Sequence, residues 1–98
     1  MAAEPSKVSI RFCVKCRFTL RATWLAQELC FTFGEELAEV ALLPASGGVF
    51  EVFVGEELIW DRSREGRFPE PKELKQLVRD RVAPGKDLGH SEARAEGD

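Results

Sequence analysis

The hydrophobic period of this chain changes at Cys13. Before it, Lys7-Val8-Ser9-Ile10-Arg11-Phe12 alternates and puts Val8, Ile10 and Phe12 on one face, as a half-buried strand does. After it, from about Val14 to Phe33, the spacing is helical. Phe18, Ala22, Leu25, Ala26, Leu29 and Phe33 fall on one stripe about 100° wide. Gly34 then stands where helices commonly end. Strand and helix follow each other directly, and Cys13-Val14-Lys15-Cys16 occupies the junction.

The rest of the chain supplies partners for these two elements. Val40-Ala41-Leu42-Leu43 is wholly apolar and closed by Pro44, which predicts a strand covered on both faces. Coming after a helix, it makes a β-α-β crossover with the two strands parallel. Pro44 to Gly48 is a turn. Val49–Val54 and Glu57–Asp61 form a hairpin about Gly55-Glu56. Arg62 to Pro69 reads as a charged loop. Glu70 or Pro71 opens a second helix with Leu74, Leu77, Val78 and Val82 inward, ended by Pro84-Gly85. The order β-α-β-β-β-α predicts an α/β two-layer sandwich, a four-stranded mixed sheet carrying two helices. With 98 residues there is one core. Residues 1–6 are expected to be a flexible N-terminus, 7–85 the domain and 86–98 a flexible polar tail.

Charge and composition exclude several functions. Arg17 and Arg21 interrupt the one long apolar candidate, so no run approaches the ~20 residues of a membrane helix. The N-terminus lacks the basic start and apolar stretch of a signal peptide, which predicts a cytoplasmic protein. A net charge of −3 argues against general nucleic-acid binding. That sum hides a segregation. Lys7, Arg11, Lys15, Arg17 and Arg21 make residues 5–27 +5, whereas residues 28–98 carry nine bases against sixteen acids.

The three cysteines fit a redox pair better than a scaffold or a metal site. An odd count without a secretory leader is a poor match to structural disulfides. Structural zinc takes four ligands, and only Cys30 and His90 remain to complete a set within one chain, so no metal is expected. Two chains sharing their motifs are the remaining route to zinc. A thiolate is the attacking form of cysteine, and a helix N-terminus stabilises it with free N–H groups and partial positive charge. Cys13, at or just before that terminus, is expected to have the lowered pKa, with Lys15 and Arg17 adding to the effect. Cys16, one turn inside the helix, is placed to resolve a mixed disulfide. C-x-x-C after a first strand is also the thioredoxin-like arrangement.

Other residues of the first helix divide between core and surface. Cys30 flanks the apolar stripe and is expected to be buried core filler. Leu20, Trp24 and Phe31 lie on the far side of the helix. Either that helix is sandwiched more deeply than two layers allow, or these residues form an exposed docking or self-association surface, a homodimer contact through the first helix. Trp60 is expected to pack against a neighbour, and His90 to be solvent-exposed in the tail.

Three separated stretches carry a resemblance. Phe12-Cys13-Val14-Lys15-Cys16-Arg17, Gly47-Gly48-Val49-Phe50-Glu51-Val52 and Gly66-Arg67-Phe68-Pro69 together resemble the SelT/SelW/SelH (Rdx) family, most closely its bacterial selenoprotein W-like members. The similarity spans about residues 7–85. It implies a thioredoxin-like fold, a thiol redox role and a link to glutathione. It also implies an alternative assignment of roles, because the position of Cys16 is selenocysteine in selenoprotein W. On that pattern Cys16 attacks and Cys13 resolves. Pro44, or the Gly47-Gly48 backbone, is the candidate to line the site; glycine permits close approach of a partner.

Two readings stay open at this point. One is a small thiol–disulfide oxidoreductase with glutathione or protein thiols and disulfides as partners, glutathione serving as reductant or mixed-disulfide partner and no resident cofactor. The other is a redox-sensitive interaction module that switches its Leu20/Trp24 surface without turnover.

Overall fold

The alternation at the start of the chain becomes β1 (Ser6–Cys13) in the computed structural model, which describes residues 6–89. Val8, Ile10 and Phe12 are buried on one face. Arg11, between them in sequence, pairs across the sheet with Glu51 at 2.8 Å. α1 (Thr19–Phe33) follows, then β2 (Leu37–Ala45), β3 (Phe50–Val54), β4 (Glu57–Asp61), α2 (Arg62–Glu65) and α3 (Pro71–Val82). The sheet order is β2-β1-β3-β4; β1 and β2 are parallel and the other neighbours antiparallel. The mixed sheet and its crossover are those the element order predicts.

The core lies on one face of this sheet. Ala22, Leu25, Ala26, Leu29 and Phe33 of α1, with Leu74 and Val78 of α3, meet Val8, Ile10, Phe12, Phe50 and Val52. Each large apolar side chain so buried stabilises the fold by about 1.5–3 kcal/mol. Between Val52 and Phe53 the β3–β4 register shifts, and Ile59 and Trp60 are both buried beside that irregularity. Trp60 satisfies its indole by donating Nε1–H to the Arg67 carbonyl at 3.0 Å.

α3 starts where its sequence signals put it. Pro71 takes the first helical position, where a missing N–H costs nothing. The Glu73 carboxylate accepts the Glu70 backbone N–H at 2.9 Å. It also accepts two bonds from the Arg67 guanidinium, at 2.8 and 2.7 Å. The loop before α3 is thereby tied to the helix it precedes.

Several expectations are corrected. α1 begins at Thr19, not near Val14, because Arg17 adopts a left-handed conformation (φ 65°) that interrupts the helical path. β2 is an edge strand and is not covered on both faces; Leu42 and Leu43 are 39% and 41% exposed. Pro44, which cannot donate a ladder hydrogen bond, is tolerated there for that reason. Residues 62–65 are helical, so three helices are described instead of two. Asp61 caps α2 by accepting the Ser63 N–H at 3.0 Å, and Gly66 ends it in the left-handed region.

Nor does the chain leave the body at Lys86. Lys86 pairs with Glu36 at 3.2 Å and Leu88 is buried in the core cluster. Residues 1–5 and 90–98, including His90, lie outside the described residues. Among the described residues no helix is long and apolar enough to cross a membrane.

Candidate functional site

Cys13 ends β1, and the five residues after it form a closed turn. Arg17 N–H donates to the Val14 carbonyl at 2.9 Å, and Phe18 N–H reaches back to the Cys13 carbonyl at 3.2 Å. Two nested bonds around a left-handed residue are the arrangement that terminates helices. Here they close a single turn that carries both cysteines, and α1 starts afresh behind it. Cys16 is therefore in the turn and not one turn inside α1. The left-handed conformation costs an ordinary residue about 1–2 kcal/mol, and Arg17 adopts it without being glycine.

The segment between β2 and β3 holds the other side. Cys13 N–H donates to the Val49 carbonyl at 2.9 Å, and Val14 N–H to the Ala45 carbonyl at 3.1 Å. Between those carbonyls Gly47 and Gly48 take φ of 80° and 79°, a conformation that favours glycine. A Cβ at either would meet nothing within 4 Å, so open space lies beside this turn. Pro44 pairs with Phe12 in the edge strand and is exposed. Its peptide bond is trans, as are all those among the described residues.

The two cysteines differ in surroundings. They are joined as a disulfide with Cα atoms 5.4 Å apart, within the usual ~4.4–6.8 Å span of such bonds. Cys13 is only 1% exposed, whereas Cys16 is exposed. The Cys16 N–H donates to Cys13 Sγ at 3.3 Å. A donor aimed at sulfur favours its thiolate form, but this one comes from the turn and not from the end of α1. Lys15 and Arg17 are exposed beside the pair.

Of the remaining candidates, Leu20, Trp24 and Phe31 face solvent at 81%, 42% and 77% exposure. The alternative of a deeply sandwiched helix is thereby set aside. Cys30 is exposed as well, against the expectation of core filler. It occupies the flank of α1 opposite Glu28, whose carboxylate meets Lys75 of α3 at 2.9 Å. α3 covers one flank only. Among the described residues no three His, Cys, Asp or Glu side chains gather as a metal site.

Sequence reasoning missed a neighbouring cluster. The rings of Phe18, Phe50 and Phe68 meet edge-on, with centroids 5.0–6.4 Å apart. Arg62 lies over Phe18 at 5.2 Å and over Phe68 at 4.9 Å, and Arg21 over Phe68 at 4.6 Å. The basic stretch of residues 5–27 signalled Arg21. No local signal marks Arg62, which reaches the cluster only because β4 ends at the same end of the sheet as β1.

Comparison with known proteins agrees with this architecture. Residues 7–80 match the Rdx family. Over 50 residues the chain is 44% identical to a thioredoxin reductase-like selenoprotein T homologue of Caenorhabditis elegans. That stretch is 51% of this chain but 19% of the worm protein, so the chain spans about a fifth of that relative's length. The crystal structure of a selenoprotein W-related protein from Vibrio cholerae superposes with a TM-score of 0.79 at 48% identity, covering 81% of this chain and 99% of that one. A Bordetella parapertussis protein gives 0.77 at 51% identity, covering 79% and 98%. The fold is thioredoxin-like α/β, as the placement of the motif after β1 predicts.

Proposed function

The chain belongs to the Rdx family, and on that premise we propose that it is a small cytoplasmic thiol–disulfide redox protein in which Cys16 attacks and Cys13 resolves. The observation that carries this assignment is the contrast in exposure, with Cys16 open to solvent and Cys13 buried. It favours the order implied by the family pattern over the one implied by helix electrostatics, since α1 begins too late to supply its N–H groups to Cys13.

The Cys16 thiolate attacks one sulfur of a disulfide RSSR, forming a protein–S–S–R bond and releasing RS⁻. Cys13, losing its proton, then attacks the Cys16 sulfur. The internal disulfide forms and the second RS⁻ leaves. Two electrons pass from the protein dithiol to the substrate, and two protons complete the two RSH. In the reverse direction a thiolate attacks Cys16 and displaces Cys13. The Cys16 N–H, 3.3 Å from Cys13 Sγ, stabilises that leaving thiolate. Glutathione, or a protein thiol or disulfide, is the partner in this reading.

The test is a glutathione redox titration with mass-spectrometric mapping of each cysteine. The expected result is a Cys13–Cys16 disulfide forming in the range of about −180 to −270 mV, with glutathione trapped on Cys16 in the Cys13→Ser variant. A pair that stays reduced across that range removes the redox reading. Trapping on Cys13 in Cys16→Ser, with none on Cys16, reverses the roles.

The exposed Leu20 and Phe31 favour a second reading, a redox-sensitive interaction module that self-associates through α1. Light scattering on oxidised and reduced protein tests it. A redox-dependent dimer that Leu20→Glu abolishes supports this reading; a monomer in both states removes it.

A further inference from the structure

The cations of this protein fall into two populations. Lys7, Arg11, Arg64, Arg67, Lys75, Arg79, Arg81 and Lys86 each reach a carboxylate. Lys15, Arg17, Arg21, Arg62 and Lys72 have no carboxylate partner among the described residues. Lys15 and Arg17 are in the cysteine turn, while Arg21 and Arg62 stack on the aromatic cluster behind it.

We infer that Arg21 and Arg62, seated on Phe68, are specificity-determining residues that bind the carboxylates of a small anionic disulfide attacked at Cys16. This rests on the redox reading above and adds the class of substrate. The two guanidinium carbons lie 4.6 and 4.9 Å from one ring centroid, closer together than the ~10 Å Debye length at 0.1 M salt. Neither forms an ion pair with an acid among the described residues, and a bound carboxylate would offset their repulsion. Stacking holds each planar fork in place with hydrogen-bond donors left over, the geometry that suits a carboxylate. Arg62 Nε is buried without a protein acceptor, although Arg62 as a whole is half-buried and keeps access to solvent.

Distance supports the same assignment. Phe18, on whose ring Arg62 also stacks, is two residues from Cys16, a separation of at most about 7 Å along the chain. The end of β1, the Gly47-Gly48 turn and the start of α2 share one end of the sheet, so the cysteine turn and Arg62 lie at the same end of the molecule.

The experiment measures the second-order oxidation rate of the fully reduced full-length protein by two probes, glutathione disulfide (anionic) and 2-hydroxyethyl disulfide (neutral). Arg21→Gln and Arg62→Gln should each slow the anionic reaction by about tenfold, the loss of one charge-assisted hydrogen bond. The neutral reaction should stay within about twofold. Lys7→Gln removes the same charge about 20 Å away at the far end of β1 and should change neither rate by more than twofold. If Arg62→Gln does not fold, Arg62→Lys replaces it, keeping charge but not the fork, with a loss again confined to the anionic probe. Equal slowing with both probes, no slowing, or an equal effect of Lys7→Gln overturns the inference while leaving the redox reading intact. A wild-type protein that reacts with neither disulfide sinks both.

Discussion

Two residues separate Cys13 from Cys16, and the backbone between them puts one thiol in the interior and the other in solvent. In native, reduced protein, iodoacetamide should therefore label Cys16 and Cys30 and spare Cys13, as peptide mass mapping will show. Rapid labelling of Cys13 would refute the assignment of roles. Arg17 is the second residue on which the turn depends. Its left-handed conformation is cheap only for glycine, so Arg17→Gly should stabilise the fold by about 1 kcal/mol. Urea unfolding measures this; a lower midpoint would show that the guanidinium contributes more than the backbone costs. Neither feature has a local sequence signal. Arginine is not a residue that announces a left-handed turn, and solvent exposure depends on how that turn closes against Ala45 and Val49.

Among the elements, α3 carries a pH-dependent contribution to stability. Hydrogen bonding from Arg67, helped by the Glu70 N–H, lowers the Glu73 carboxyl from its ordinary 4.5 to about 2. A group whose folded pKa is depressed stabilises above its unfolded value, and that stability is lost as pH falls through the folded value. The contribution of Glu73 is therefore complete above about pH 4.5 and disappears between there and pH 2. Glu73→Gln should be less stable than wild type at pH 7, by about 1 kcal/mol, as for a lost helix cap. The gap should close as pH drops toward 2, and a gap constant from pH 7 to 2 would contradict the assignment. The start of α3 was legible because Glu70, Pro71 and Glu73 are adjacent in sequence. The start of α1 was not, because its apolar stripe runs on through Phe18 while the backbone does not.

At the scale of the whole molecule, the aromatic cluster couples the core to the site. Phe50 is fully buried and meets both Phe18, just behind the cysteine turn, and Phe68, on which the two arginines stack. Phe50→Ala should cost about 3–5 kcal/mol, measured by denaturant unfolding; a loss below 1 kcal/mol would mean the cluster is not tightly packed. The sequence by itself determined the order of the strands and the two longer helices, the inward faces of β1, α1 and α3, and the cysteine pair at the strand–helix junction. Those follow from period and near-neighbour chemistry, which act over a few residues. Only the tertiary structure decided that β2 is an edge, that Cys30 faces solvent and Leu88 does not, which cysteine is buried, and that Arg62 joins Arg21 on one ring. Each of these depends on which surface covers which. That is set by contacts between segments tens of residues apart, to which local periodicity is blind.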